Sequence, residues 1–255
     1  MPPRWRFLDH PGPIPFAHQG GASDFPENTM RAFQHAVDLG YRYIETDVHA
    51  TLDGILVAFH DDTLDRVTDR RGVIGELRWA DISQARVGDG DDRIPRLEDL
   101  LGTWPDVRVN IDPKHDASVT PLVEVLTRTV AFDRVCIGAF SGRRLARFRR
   151  LTQNRVCTSM GPTEVARLRA SSYGVPVGRF APACACAQVP ARAARMPLAN
   201  RRFVDAAHRR DLQVHVWTIN DADEMGRLLD LGVDGIMTDR PAVLKEVLER
   251  RQAWA

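Results

Sequence analysis

Lysine is almost absent from this chain. Of its 35 basic residues only Lys114 and Lys245 are lysines, and the rest are arginine. An excess of one charge is missing as well, since 34 acidic residues leave a formal net charge of +1. No global field therefore draws the chain toward nucleic acid or an anionic membrane, and any anion site must be local. No apolar run approaches the ~18 to 20 residues of a membrane span. The opening MPPRWRFLDH lacks the apolar centre of a signal peptide, so a cytoplasmic location is expected. The four cysteines, Cys136, Cys157, Cys184 and Cys186, include no C-x-x-C pair, and the last two sit among small residues in ACACAQVP. They read as reduced core thiols.

What is present is ordinary globular composition: 255 residues, 44% hydrophobic and 27% charged, enough for one large α/β domain or two small ones. Short β-rich runs recur at 14–18, 41–49, 55–60, 107–111, 134–140, 155–160, 183–189, 212–219 and 235–238. Helical patterns fall between most of them, including 28–39, 162–170, 201–210, 222–231 and 242–250. Strand and helix in alternation imply a parallel sheet, and at this length a (β/α)8 TIM barrel is the most economical architecture, with an open doubly wound sheet second. One domain over 1–255 is expected. Nine runs exceed eight strands by one, and Asp53-Gly54 between the second and third marks a hairpin at the barrel rim. The polar stretch 61–101 reads as an inserted subdomain.

The chain also resembles itself. Asp38-Leu39-Gly40, Ile44, Thr46 and Asp47 recur at equal spacing as Asp230-Leu231-Gly232, Ile236, Thr238 and Asp239. Met237 takes the place of Glu45, so the local fold does not demand a carboxylate there. Asp239 matches Asp47, and its position before Arg240-Pro241 suits a helix cap.

A two-residue turn at Asp53-Gly54 would place Asp47 opposite His60, and period two would put Glu45 on the same face as Asp47. Adjacent carboxylates call for a proton or a cation, and oxygen ligands suit Mg²⁺ or Ca²⁺. In Asn110-Ile111-Asp112-Pro113-Lys114, Asp112 is a candidate third ligand and Lys114 a point charge for phosphate. The first strand delivers His18 into a Gln19-Gly20-Gly21 loop, and two histidines at strand ends make an acid/base pair for P–O cleavage. The plain alternatives are rim histidines, solvated carboxylates and a core tryptophan at Trp217. The arginine run 143–150 is read as a solvated helix face.

Ala17-His18-Gln19-Gly20-Gly21, Pro26-Glu27-Asn28-Thr29, Ile44-Glu45-Thr46-Asp47-Val48, Phe59-His60-Asp61, Asn110-Ile111-Asp112-Pro113-Lys114 and Trp217-Thr218-Ile219-Asn220, in that order, resemble the glycerophosphodiester phosphodiesterase family. The resemblance implies a TIM barrel with a small insertion after His60, and metal-dependent hydrolysis of glycerophosphodiesters to an alcohol and glycerol 3-phosphate. It implies His18 and His60 as the acid/base pair, Glu45, Asp47 and Asp112 as metal ligands, and Lys114, Gln19 and Trp217 around the substrate. The implied route passes through a cyclic phosphate. The chain departs from the family's pattern where Gln19 replaces the usual arginine and Asp112 replaces a frequent glutamate. A lysophospholipase D activity and a phosphate-binding barrel without catalysis are the competing readings. The expected partner is a small glycerophosphodiester, with no nucleic acid, and the oligomeric state is left open.

Overall fold

Four apolar residues and His18 form strand β1, Ile14–His18, and the chain then turns outward through two glycines into helix α1, Met30–Asp38. Thr29 caps that helix, accepting from the Ala32 amide at 3.2 Å, while Ala32, Phe33 and Ala36 give it one buried face. Gly40, at φ 94°, ends the unit where a side chain would be strained. The pattern repeats through β2 (Tyr43–Ala50), β4 (Arg108–Pro113), β5 (Val135–Ile137), β6 (Cys157–Ser159), β7 (Cys184–Pro190), β10 (Gln213–Trp217) and β11 (Gly235–Thr238). Short β3 (Leu56–Ala58) lies against β2, and a ribbon of β8 (Arg192–Ala193) and β9 (Met196–Pro197) follows β7. The helices are α2 (Trp79–Ile82), α3 (Leu97–Thr103), α4 (Val119–Arg128), α5 (Gly142–Leu151), α6 (Pro162–Ser171), α7 (Arg201–His208), α8 (Ala222–Asp230) and α9 (Pro241–Arg250). This is a computed structural model, and it describes residues 4–193 and 196–255.

Parallel pairing runs β1-β2-β4-β5-β6-β7-β10-β11 and returns to β1, so eight strands close on themselves as the expected TIM barrel. The ninth run is the hairpin strand β3, antiparallel to β2 alone. Its register differs by one residue from a two-residue turn: Val48 pairs with Ala58, and the Phe59 amide, not His60, meets the Asp47 carbonyl at 3.0 Å. The cause is local and tertiary together. Thr51 closes a longer loop by accepting the Ile55 amide on its hydroxyl, and Leu52 donates its amide to Leu77 of the following segment.

Inside the barrel, the lower end is filled by Phe16, Tyr43, Cys136, Cys157, Ala185, Cys186 and Met237, with Phe7 plugging the base. Tyr43 donates its hydroxyl to the Phe7 carbonyl at 2.8 Å. All four cysteines are free and buried, as expected of core thiols. Residues 57–94 carry a small separate core around Phe59, Leu64, Ile74 and Val87, whereas Leu97, Leu100 and Leu101 of α3 pack into the main barrel core. No helix among the described residues is long and apolar enough to cross a membrane.

Candidate active site

Strand register assembles the site at the C-terminal mouth. His18 is level with Glu45 on β2, and Asp47 is level with Asp112 on β4, so side chains far apart in sequence share one layer. Glu45, Asp47 and Asp112 are all buried. Lys114 bridges two of them, with Nζ 2.6 Å from Asp47 Oδ1 and 3.0 Å from Asp112 Oδ2. Three buried carboxylates thus share one ammonium, with His18 facing Glu45 from the other side. Burial, and after it the Asp47 charge, pushes Glu45 up to about 8 against the opposing pull of His18 and Lys114. Burial likewise raises Asp112, whose Oδ1 has no hydrogen-bond partner.

His18 lies between two carboxylates, its Nδ1 2.6 Å from Asp239 Oδ1 and its Nε2 3.7 Å from Glu45 Oε2. A carboxylate only accepts, so Nδ1 carries the proton toward Asp239. Burial by itself would lower this imidazole, but Glu45, Asp239 and Asp47 outweigh it and hold His18 up at about 9. Asp239 is in turn fixed by the Asn220 amide at 2.7 Å. It does not cap α9, whose first turn has no side-chain cap. The self-similarity of the chain was the signal for this residue: Asp239 directly follows β11 at the position that Asp47 takes in β2.

His60 repeats the arrangement at the rim. Its Nδ1 meets Asp61 Oδ1 at 2.7 Å, and Arg66 holds Asp61 at 2.6 Å while reaching Glu27 at 2.6 and 2.9 Å. The Arg66 hydrogen bond comes first among the causes that draw Asp61 down to about 2. Each histidine thus has an oriented ring; the sequence assigns Asp61 no role and reads Asp239 as a helix cap.

Gln19 adopts φ 53° and is buried, with Nε2 donating to Asp47 Oδ2 at 2.8 Å. It steadies a carboxylate and is not part of the cavity wall. Gly20 beside it has no room for a side chain, because a Cβ would fall 2.8 Å from Ala32.

His18, Glu45, Asp47, His60, Asp112 and Lys114 all open on one cavity of about 490 Å³. Its far side is apolar, with Met160, Val165, Val189, Leu198 and Trp217. Trp217 packs against the interior cluster of the barrel and also lines the cavity, where it stacks edge-on with exposed Phe140 at 5.6 Å.

The sequence matches the Glycerophosphoryl diester phosphodiesterase family over residues 18–243. The chain belongs to that family. Membership makes it an enzyme, a phosphoric diester hydrolase. It is 43% identical to Probable glycerophosphodiester phosphodiesterase 2 of Mycobacterium tuberculosis, over 99% of this chain and 97% of that one. Among solved structures, an Oleispira antarctica phosphodiesterase in complex with the product sn-glycerol-3-phosphate shares the fold with a TM-score of 0.78 and 22% identity, covering 93% of this chain and 97% of the other. A glycerophosphodiester phosphodiesterase from Agrobacterium tumefaciens does so with 0.76 and 21%, over 91% and 99%.

Proposed function

We propose that this phosphodiesterase hydrolyses glycerophosphodiesters to an alcohol and sn-glycerol 3-phosphate in a metal-dependent reaction, with His18 and His60 as acid and base. The observation that carries the reading is the opening of two oriented imidazoles and three buried carboxylates on one cavity. The product seen with the Oleispira relative supports the substrate class.

Glu45, Asp47 and Asp112 fit a hard divalent ion, Mg²⁺ or Ca²⁺. The donors are all oxygen, Asp112 Oδ1 is buried and unpartnered, and burial, together with the Asp47 charge, raises Glu45. Bound there, such an ion offsets charge on the phosphoryl oxygens and acidifies a neighbouring hydroxyl. Lys114 supplies the ammonium that meets the phosphate. Gln19 and Asp47 act as a unit, the amide holding the carboxylate in place. Trp217 and its apolar neighbours take the departing group.

In the first step the adjacent glycerol hydroxyl attacks phosphorus, giving its proton to His60 Nε2. The bond from phosphorus to the alcohol breaks, and that oxygen receives the proton of His18 Nε2. A cyclic phosphate remains. Water then attacks phosphorus, loses a proton to His18, and the ring oxygen leaves with the proton held by His60, which restores both imidazoles. The raised pKa of His18 suits it to begin as the acid.

The apolar side of the cavity favours a second reading, in which it receives the acyl chain of a lysophospholipid whose head-group alcohol departs. Purified protein incubated with glycerophosphocholine or glycerophosphoethanolamine should release glycerol 3-phosphate with Mg²⁺ or Ca²⁺ and not with EDTA. Failure with both metals sinks the first reading, and choline release from lysophosphatidylcholine under the same conditions selects the second.

A further inference from the structure

Farther along β2, beyond its carboxylates, lies His49, 3% exposed. Facing it are Asp62, two residues past His60, and His115, immediately past Lys114. His115 Nε2 is 2.9 Å from Asp62 Oδ1, and the two imidazole rings have centroids 5.4 Å apart. One ligand atom from each of the three residues lies within 4.8 Å of the others. Tetrahedral zinc, with bonds of ~2.1 Å, holds its ligand atoms about 3.4 Å apart, so small side-chain rotations suffice. None of the three lines the active-site cavity.

We propose that His49, Asp62 and His115 form a zinc site that clips the inserted segment to the barrel. Two imidazoles and one carboxylate suit Zn²⁺ and not the hard ions that an all-oxygen set prefers, which separates this site chemically from Glu45, Asp47 and Asp112. A second observation points the same way. His49 Nε2 is 3.1 Å from the His60 carbonyl, which can only accept, so Nε2 carries hydrogen and the lone pair is left on Nδ1. Metal-bound imidazoles are held in this manner, by their other ring nitrogen on a backbone carbonyl. The three ligands come from a barrel strand, from the start of the insertion and from the loop after β4. A metal there would reinforce the histidine–aspartate contact between the insertion and the loop after β4, which is exposed and of small value alone. The same hydrogen bond links the clip to the backbone of His60.

The test does not depend on catalysis. Chelator-stripped protein in millimolar Mg²⁺, which occupies the oxygen site, is titrated with Zn²⁺ by calorimetry beside His115→Ala and Asp62→Asn, both at exposed positions. Wild type should take up one equivalent, and each variant should bind at least ~tenfold more weakly. Cobalt should give a visible ligand-field spectrum in wild type that both variants lose. Zinc should slow amide exchange across residues 61–64 in wild type alone. Equal affinity in the three proteins, no uptake in the presence of Mg²⁺, or uptake without protection of 61–64 overturns the proposal.

Discussion

Replacing Asp239 by Asn tests whether the imidazole of His18 must be oriented from the β11 side. Asn220 fixes the outcome. Its Oδ1 accepts from the Thr238 hydroxyl at 3.0 Å and from the Asp239 amide at 2.9 Å, so its Nδ2 is the group that donates to Asp239 Oδ2 at 2.7 Å. In the variant, the side-chain oxygen of residue 239 must stay on Asn220, which turns its NH2 toward His18 Nδ1. That group donates where the carboxylate accepted, and the His18 proton moves to Nε2, the nitrogen that faces the cavity. The charge-assisted bond lost, 2.6 Å long, has a worth of about 1.5–3 kcal/mol, which corresponds to roughly 10- to 150-fold in rate. Asp239 does not line the cavity, so KM for glycerophosphocholine should stay within about twofold while kcat carries the loss. Asp239 is also one of the groups that raise His18, so its removal shifts the limb governed by His18 protonation to lower pH. A kcat within threefold of wild type, or a loss expressed only in KM, refutes the role given to Asp239. Asn220→Ala should give a smaller loss in the same direction.

Other outcomes follow from the same geometry. Lys114→Gln should raise KM for glycerophosphodiesters at least ~tenfold, as one charge-assisted phosphate contact is removed, and steady-state kinetics at saturating Mg²⁺ read it directly. EDTA should abolish release of glycerol 3-phosphate, with recovery on adding Mg²⁺ or Ca²⁺. Arg149, buried between α5 and α6, donates to both Glu164 oxygens at 2.9 and 3.0 Å, to Thr158 at 2.9 Å and to the Ser159 carbonyl at 2.8 Å, and Arg149→Met should lower stability to urea by about 3–5 kcal/mol. His215 is wholly buried, and burial draws it down to about 3. Below about pH 6.5 the unfolded chain takes up a proton there and the folded chain does not, so stability falls as pH drops through that window by about 1.4 kcal/mol per unit. Urea midpoints measured from pH 7 to 4 should show a shallower slope in His215→Asn.

Alternation of apolar runs and helix patterns carried the barrel, because each strand is buried on both faces and each helix shows one apolar face. The hairpin was legible in Asp53-Gly54, and its register was not. The loop is held by the Thr51 hydroxyl and by the Leu77 carbonyl, a tertiary contact that no local turn preference contains. That single-residue shift moves His60 from beside Asp47 to the rim, where Asp61 receives it. The carboxylates, both histidines and Lys114 were singled out because strand ends and residue chemistry pointed to them, and the barrel brings them to one cavity. Gln19 was read as a substitute phosphate contact, yet its left-handed backbone turns the amide inward to Asp47. Asp61 was given no role, and Asp239, which the internal repeat had aligned with Asp47, was read as a helix cap, because orienting an imidazole leaves no spacing signature.

Closure of the ring through β1 and β11 sets a clock on the enzyme. His18 and Asp239 are 221 residues apart in sequence. At the ~5–20 residues per second of protein synthesis, tens of seconds separate the appearance of the histidine from that of the carboxylate that orients it. A nascent chain that has reached β10 already contains His18, His60, the three buried carboxylates and Lys114, but neither the last wall of the barrel nor the partner of His18. The site is therefore complete only when β11 has joined β1 and brought Asp239 beside His18.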